Sequence, residues 1–80
     1  MYAHLNNLSD AELSVAVANM ADIQEMIAEG KEMSNENLLE KLQQYNRALY
    51  NADLTDRVLF ARVEAVVTSY QNEVLARMSK

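Results

Sequence analysis

The sequence predicts an all-α fold, a small three-helix antiparallel bundle with the third helix longest. Three observations carry this. Apolar residues recur at helical spacing, helix-start signals built on Ser or Thr appear three times, and the chain has one Gly and no Pro in 80 residues. No alternating run bounded by turn residues suggests a strand. The β-branched pair Val66–Val67 sits inside a 3.6-residue period, which decides for helix. Short connections favour antiparallel neighbours. The expected helices span residues 9–29, 34–51 and 54–78 of one helical domain covering 1–80.

Residues 1–8 have no period and are expected to fray, with Tyr2, Leu5 and Leu8 available to pack on the bundle. Ser9 then starts the first helix. Its hydroxyl caps the free amides of the first turn, and Glu12 reaches back to the Ser9 amide. Leu8 and Leu13 staple the entry, and Asp10 and Glu12 suit the positive end of the helix dipole. Gly30 is expected to end the helix in the left-handed conformation, with Lys31 at the negative end. The buried stripe reads Leu13, Ala16, Val17, Met20, Ile23 and Ile27.

The second helix repeats the signal, with Met33 and Leu38 stapled around Ser34. It is expected to bury Leu38, Leu39, Leu42, Tyr45, Leu49 and Tyr50 and to leave Glu36, Glu40, Gln44 and Arg47 solvated. The join at Asn51–Asp53 has neither Gly nor Pro. A bend capped by Asp53 or Thr55 is expected there, and one continuous helix is the alternative.

The third helix, stapled by Leu54 and Leu59 around Thr55, organises the chain. At about 100° per residue, Leu59, Phe60, Val63, Val66, Val67, Tyr70, Val74 and Met78 share an arc of roughly 120°. The other side carries Val58, Ala61, Ala65, Ser69, Asn72 and Ala76, small and almost uncharged. A helix with two usable faces is the middle of a bundle or half of a dimer. A single core of this size is marginal, so a homodimer through Val58, Ala61, Ala65, Asn72 and Ala76 is the second expectation.

Composition removes most chemistry. There is no Cys and a single His, His4, near the start. Disulfides, thiolate metal sites and His clusters are therefore excluded, and neither a cofactor nor a metal is expected. Nucleophilic catalysis lacks a base beside a nucleophile, and one Gly cannot build a phosphate loop. The expectation is a protein that is not an enzyme. A helix-turn-helix reading of the second and third helices fails because Thr55, Asp56, Val58 and Leu59 are a poor base-reading set. No apolar run is long enough to cross a bilayer and no signal peptide is visible, so a cytoplasmic location is expected.

The net charge of -5 is unevenly spread. Asp10, Glu12, Asp22, Glu25, Glu29, Glu32, Glu36 and Glu40 face only Lys31 in the first half. The second half is slightly basic. This distribution speaks against direct binding of nucleic acid or an anionic membrane. Asp22, Glu25, Glu29 and Glu32 fall three or four apart on one face, with Val15 and Met26 beside them. They are the candidate partner-binding residues, aimed at a larger protein with a basic surface, and an ordinary solvated face is the alternative. In size, acidity and helicity the chain is similar to small inhibitors encoded by phages and mobile elements, a similarity that identifies no functional residue. The expected function is a small acidic protein-binding module that modulates or inhibits a larger partner. A self-assembling structural protein, or an acidic DNA mimic occupying a nucleic-acid-binding protein, is the alternative.

Overall fold

A computed structural model describes residues 3–51 and 56–79. A 3-10 helix at Ala3–Asn7 leads into four α-helices. These are α1 (Asp10–Ala18), α2 (Ala21–Glu32), α3 (Asn35–Asn51) and α4 (Arg57–Met78). The described residues contain no strand. The all-helical class stands, but the count of three does not. The segment expected as one helix over 9–29 is two, so the longest helix, of 22 residues, is the fourth.

The break between α1 and α2 needs no Gly or Pro. Asn19 closes α1 at φ -92°, ψ -1°, and Met20 is extended at φ -66°, ψ 140°. Asn is a weak helix former whose side chain competes for backbone hydrogen bonds. The ends are then satisfied locally. The Gln24 side-chain amide donates to the Ala18 carbonyl, and Asp22 places a charge in the first turn of α2.

The other caps follow the sequence closely. Ser9 and Glu12 form the full capping box, and Ser34 Oγ accepts from the Asn37 amide at 3.2 Å. The hydrogen bonds from Ser9, first the side-chain one and then the backbone one, hold the Glu12 carboxyl below its ordinary range. Asp56 caps α4 by accepting from the Leu59 amide at 3.0 Å. The residues proposed for that cap, Asp53 and Thr55, and the staple residue Leu54 lie outside the described residues, as do Met1 and Tyr2. The expected fraying of 1–8 gives way, over Ala3–Asn7, to the 3-10 helix, which buries Leu5 to 6% exposure.

Gly30 departs most from expectation. The helix continues to Glu32, and no glycine has positive φ. The reason for glycine here is space. A Cβ at this position would lie 2.4 and 2.7 Å from ring atoms of Tyr70. The missing side chain is what lets α2 approach α4.

α4 is the middle of the bundle and packs on each of the other helices. Arg77 near its end meets Asn35 at the start of α3, so those two run in opposite directions. Arg57 meets Asp10, Tyr70 meets Met26, and Arg77 meets Gly30 and Lys31, so α1 and α2 run alongside α4 in its own direction. The core joins Leu5, Leu13, Val17, Ile23, Leu38, Val58, Val66 and Tyr70. Fully burying a side chain such as Leu or Val is worth roughly 1.5–3 kcal/mol.

Of the residues expected to be buried, Leu13, Val17, Ile23, Leu38, Val66, Val67 and Tyr70 are, while Met20, Ile27, Leu42, Leu49 and Val63 are half-buried and Tyr50 is 90% exposed. Leu39, Leu59 and Met78 are largely exposed. Met78 stands in the last turn of α4, beside Asn35 at the start of α3.

Candidate functional site

The acidic residues singled out in the sequence all fall on α2, within Ala21–Glu32. Their roles differ. Asp22 is tied inward, where its carboxylate accepts from Arg62 on α4. Glu25, Glu29 and Glu32 are exposed. The three described ion pairs are Arg57–Asp10, Arg62–Asp22 and Arg77–Glu73, and none of them uses Glu25, Glu29, Glu32, Glu36 or Glu40. Glu36 and Glu40 are exposed near the start of α3, reached through the short turn at Met33–Ser34. Exposed carboxylates therefore stand on both helices, on either side of that turn.

The two apolar companions do not join this edge. Met26 is half-buried against the core, and its carbonyl accepts from the Tyr70 hydroxyl at 3.1 Å. Val15 is 62% exposed, but it lies on α1, beyond the break, among Leu8, Ala11 and Ala16. Sequence spacing placed Val15 and Met26 together only because it treated α1 and α2 as one helix.

Tyr70 anchors the α2 side. It is 2% exposed and meets Tyr45 of α3 edge to face at 5.9 Å. Burial chiefly, then Tyr45 and Glu29, push its phenol above the ordinary value of 10.0. Arg77 does parallel work at the end of α4. It donates to Glu73 and Asn35 and to the carbonyls of Gly30 and Lys31.

The small side of α4 is divided. Val58 is in the core at 4% exposure, and Ala61 and Ala65 pack against it, facing α1. Asn72 and Ala76 are exposed. Between them an open groove of about 510 Å³ separates α1 and α2 from α4, lined by Ser14, Ala18, Ala65, Ser69 and Asn72, with Lys31 and Glu64 among the charged residues at its edges.

What sequence reasoning missed is the set of apolar residues left outside. Leu39, Leu75 and Met78 are 48%, 60% and 76% exposed. Leu39 and Met78 fitted core stripes, and only their places on a helix flank and in a last turn set them apart.

Among the described residues no group of three His, Cys, Asp or Glu side chains could hold a metal ion, and no helix is long and apolar enough to cross a membrane. No family model matches the chain, and no curated protein or solved structure does.

Proposed function

We propose that this chain is a protein-binding module that modulates or inhibits a larger partner, and that it meets a basic surface with Glu25, Glu29 and Glu32 of α2 and Glu36 and Glu40 of α3. One observation supports this above others. The three arginines of α4 are engaged with Asp10, Asp22 and Glu73, which leaves the carboxylates of the α2–α3 edge outside every described ion pair. Such a field steers association and sets register more than it adds affinity. Asp22 belongs to the internal structure rather than to this edge.

The test is Glu25→Lys with Glu29→Lys. Both residues are exposed, so the helical circular dichroism spectrum is expected to stay unchanged. Association with a stoichiometric partner isolated by affinity capture is expected to slow at least tenfold and to lose its salt dependence. A partner that binds the reversed protein as fast as the native one decides against the proposal. A partner that duplex DNA displaces identifies a DNA mimic instead.

Self-assembly is the second reading, favoured by the open lower part of α4 at Asn72, Leu75 and Ala76. Val58, Ala61 and Ala65 are already engaged within the chain. A monomer in sedimentation at tens of micromolar, roughly the range of a weak contact, rejects it.

A further inference from the structure

At the end of the bundle where α2 turns into α3, an apolar notch of about 280 Å³ opens between α3 and α4. Leu38, Leu39, Val74 and Met78 line it, with Asn35 and Arg77. A cavity of roughly 150 Å³ takes a benzene-sized group, so this notch has room for one large apolar side chain. Its apolar walls face outward. Leu39 is 48% exposed and Met78 76%. Arg77 lines the opening too, with its charge paired to Glu73 and its guanidinium also donating to Asn35 and two backbone carbonyls.

The surroundings are acidic. Glu36 precedes Leu39 by three residues and so neighbours it on the helix surface, and Glu40 lies one turn beyond Glu36. Glu36–Glu40 and Glu25–Glu29 are like-charge pairs at i,i+4, and Glu29–Glu32 is one at i,i+3, spacings that cost stability in the free protein. Among the described residues, Lys31 and Lys41 do not relieve them. Lys31 lines the groove beside Glu64 and Glu73, and the helical neighbours of Lys41 are Asn37, Leu38, Gln44 and Tyr45.

We propose that this notch receives a basic amphipathic segment of another protein. Its one large apolar side chain enters between Leu39, Val74 and Met78, and its Lys or Arg residues lie on Glu32, Glu36 and Glu40. The proposal rests on the protein-binding reading above and supplies the apolar anchor that Val15 and Met26 do not. Charge complementarity selects this occupant over a second copy, which would bring the same carboxylates and another net charge of -5 to the same place.

The probe is a pair of labelled helix-forming peptides of Lys and Ala, one with a single central Leu and one with Ala in its place. Each is titrated against the full chain by fluorescence anisotropy and amide chemical shifts. The Leu peptide is expected to bind at least tenfold more tightly, the order of what burying one Leu contributes. Its shifts should centre on Leu39, Val74 and Met78. Leu39→Ala with Met78→Ala should abolish that preference with an unchanged helical spectrum, since both side chains are largely outside the core. Glu36→Gln with Glu40→Gln should weaken both peptides and keep their ratio. Equal binding of the two peptides, or a preference that survives Leu39→Ala with Met78→Ala, overturns the proposal. So do shifts at the notch that grow with protein concentration in the absence of peptide, which assign it to a second copy. A captured partner that is sensitive to Glu25→Lys with Glu29→Lys but indifferent to Leu39→Ala with Met78→Ala removes the notch alone and leaves the wider function standing.

Discussion

The two seams of α4 share apolar burial and differ in their polar ties. Toward α1 and α2 the contact is studded with directional polar ties. Arg57 holds the Leu8 carbonyl and Asp10, and Arg62 holds Asp22. Tyr70 holds the Met26 carbonyl, and Arg77 the carbonyls of Gly30 and Lys31. Toward α3 the contact is dominated by apolar packing around Leu38, with Leu42 and Tyr45 beside it and the Arg77–Asn35 contact at its end. A single hydrogen bond nets about 0.5–1.5 kcal/mol and an exposed ion pair about 0–1, whereas deleting a buried Leu side chain costs about 2–5. Both seams rest on apolar burial, with Leu13, Val17 and Ile23 buried on α1 and α2 and Leu38 on α3, and the polar ties of the α1–α2 seam add register. Two short helices with a break between them can each slide, and every tie fixes one of them at a definite level of α4. One unbroken amphipathic helix needs fewer such markers.

The sharpest way to break this comparison is Leu38→Ala. Leu38 is 1% exposed, and the substitution is expected to cost about 2–5 kcal/mol by urea denaturation. A core of this size supplies only about 3–5 kcal/mol, so the cooperative transition should be largely lost. A cost below about 1 kcal/mol would mean that the α1–α2 seam, with Leu13, Val17, Ile23 and its polar ties, carries the stability.

Gly30→Ala tests the other seam at its tightest point. Alanine gains about 1 kcal/mol of helix propensity over glycine, but its Cβ would overlap the Tyr70 ring at 2.4 Å. Overpacking of this kind costs about 1–3 kcal/mol, so the net change should be destabilising, read as a fall in thermal midpoint. Adding Tyr70→Leu should make the two changes strongly non-additive, the mark of residues in contact. Additive costs would show that Gly30 matters only for its backbone.

How much of this was legible in the sequence depends on where the signal sits. Caps read well at Ser9–Glu12 and Ser34, because a cap is a local contract between residues three apart. The central place of α4 was legible as two usable faces. The break at Asn19–Met20 was not, because Met20 opens α2 with no capping side chain and the compensating Gln24–Ala18 contact spans six residues. That one omission merged two helices and put Val15 beside the acidic face. Gly30 misled for a different reason. Its local meaning, a helix end, gave way to a tertiary one, the approach of Tyr70 from 40 positions away in the chain. Of the candidate site, the exposed placement of Glu25, Glu29 and Glu32 on one helix could be read from spacing. The inward role of Asp22 and the outward one of Leu39 and Met78 could not, since both depend on which helix lies opposite.

The smallest expected effect separates the seams most cleanly. Tyr70 belongs to both, with its hydroxyl on Met26 of α2 and its ring against Tyr45 of α3. Tyr70→Phe keeps the ring and removes the hydroxyl, so it should cost about 0.5–1.5 kcal/mol at neutral pH. Hydrogen exchange should quicken in α2 around Met26 and stay unchanged in α3. Titration gives a second readout. Burial and its neighbours hold the folded phenol above 10.0, so the unfolded chain loses this proton first as pH rises. The associated stability is complete below 10.0 and is lost as pH climbs through the raised folded value. Phenylalanine has no such proton. The stability difference between the native protein and Tyr70→Phe should therefore narrow above pH 10.0, measured by urea denaturation across that range. A difference that stays constant with pH would show that the hydroxyl is solvated and that the α2 seam is held without it. Exchange that quickens in α3 instead would place the Tyr70 contribution on the apolar side.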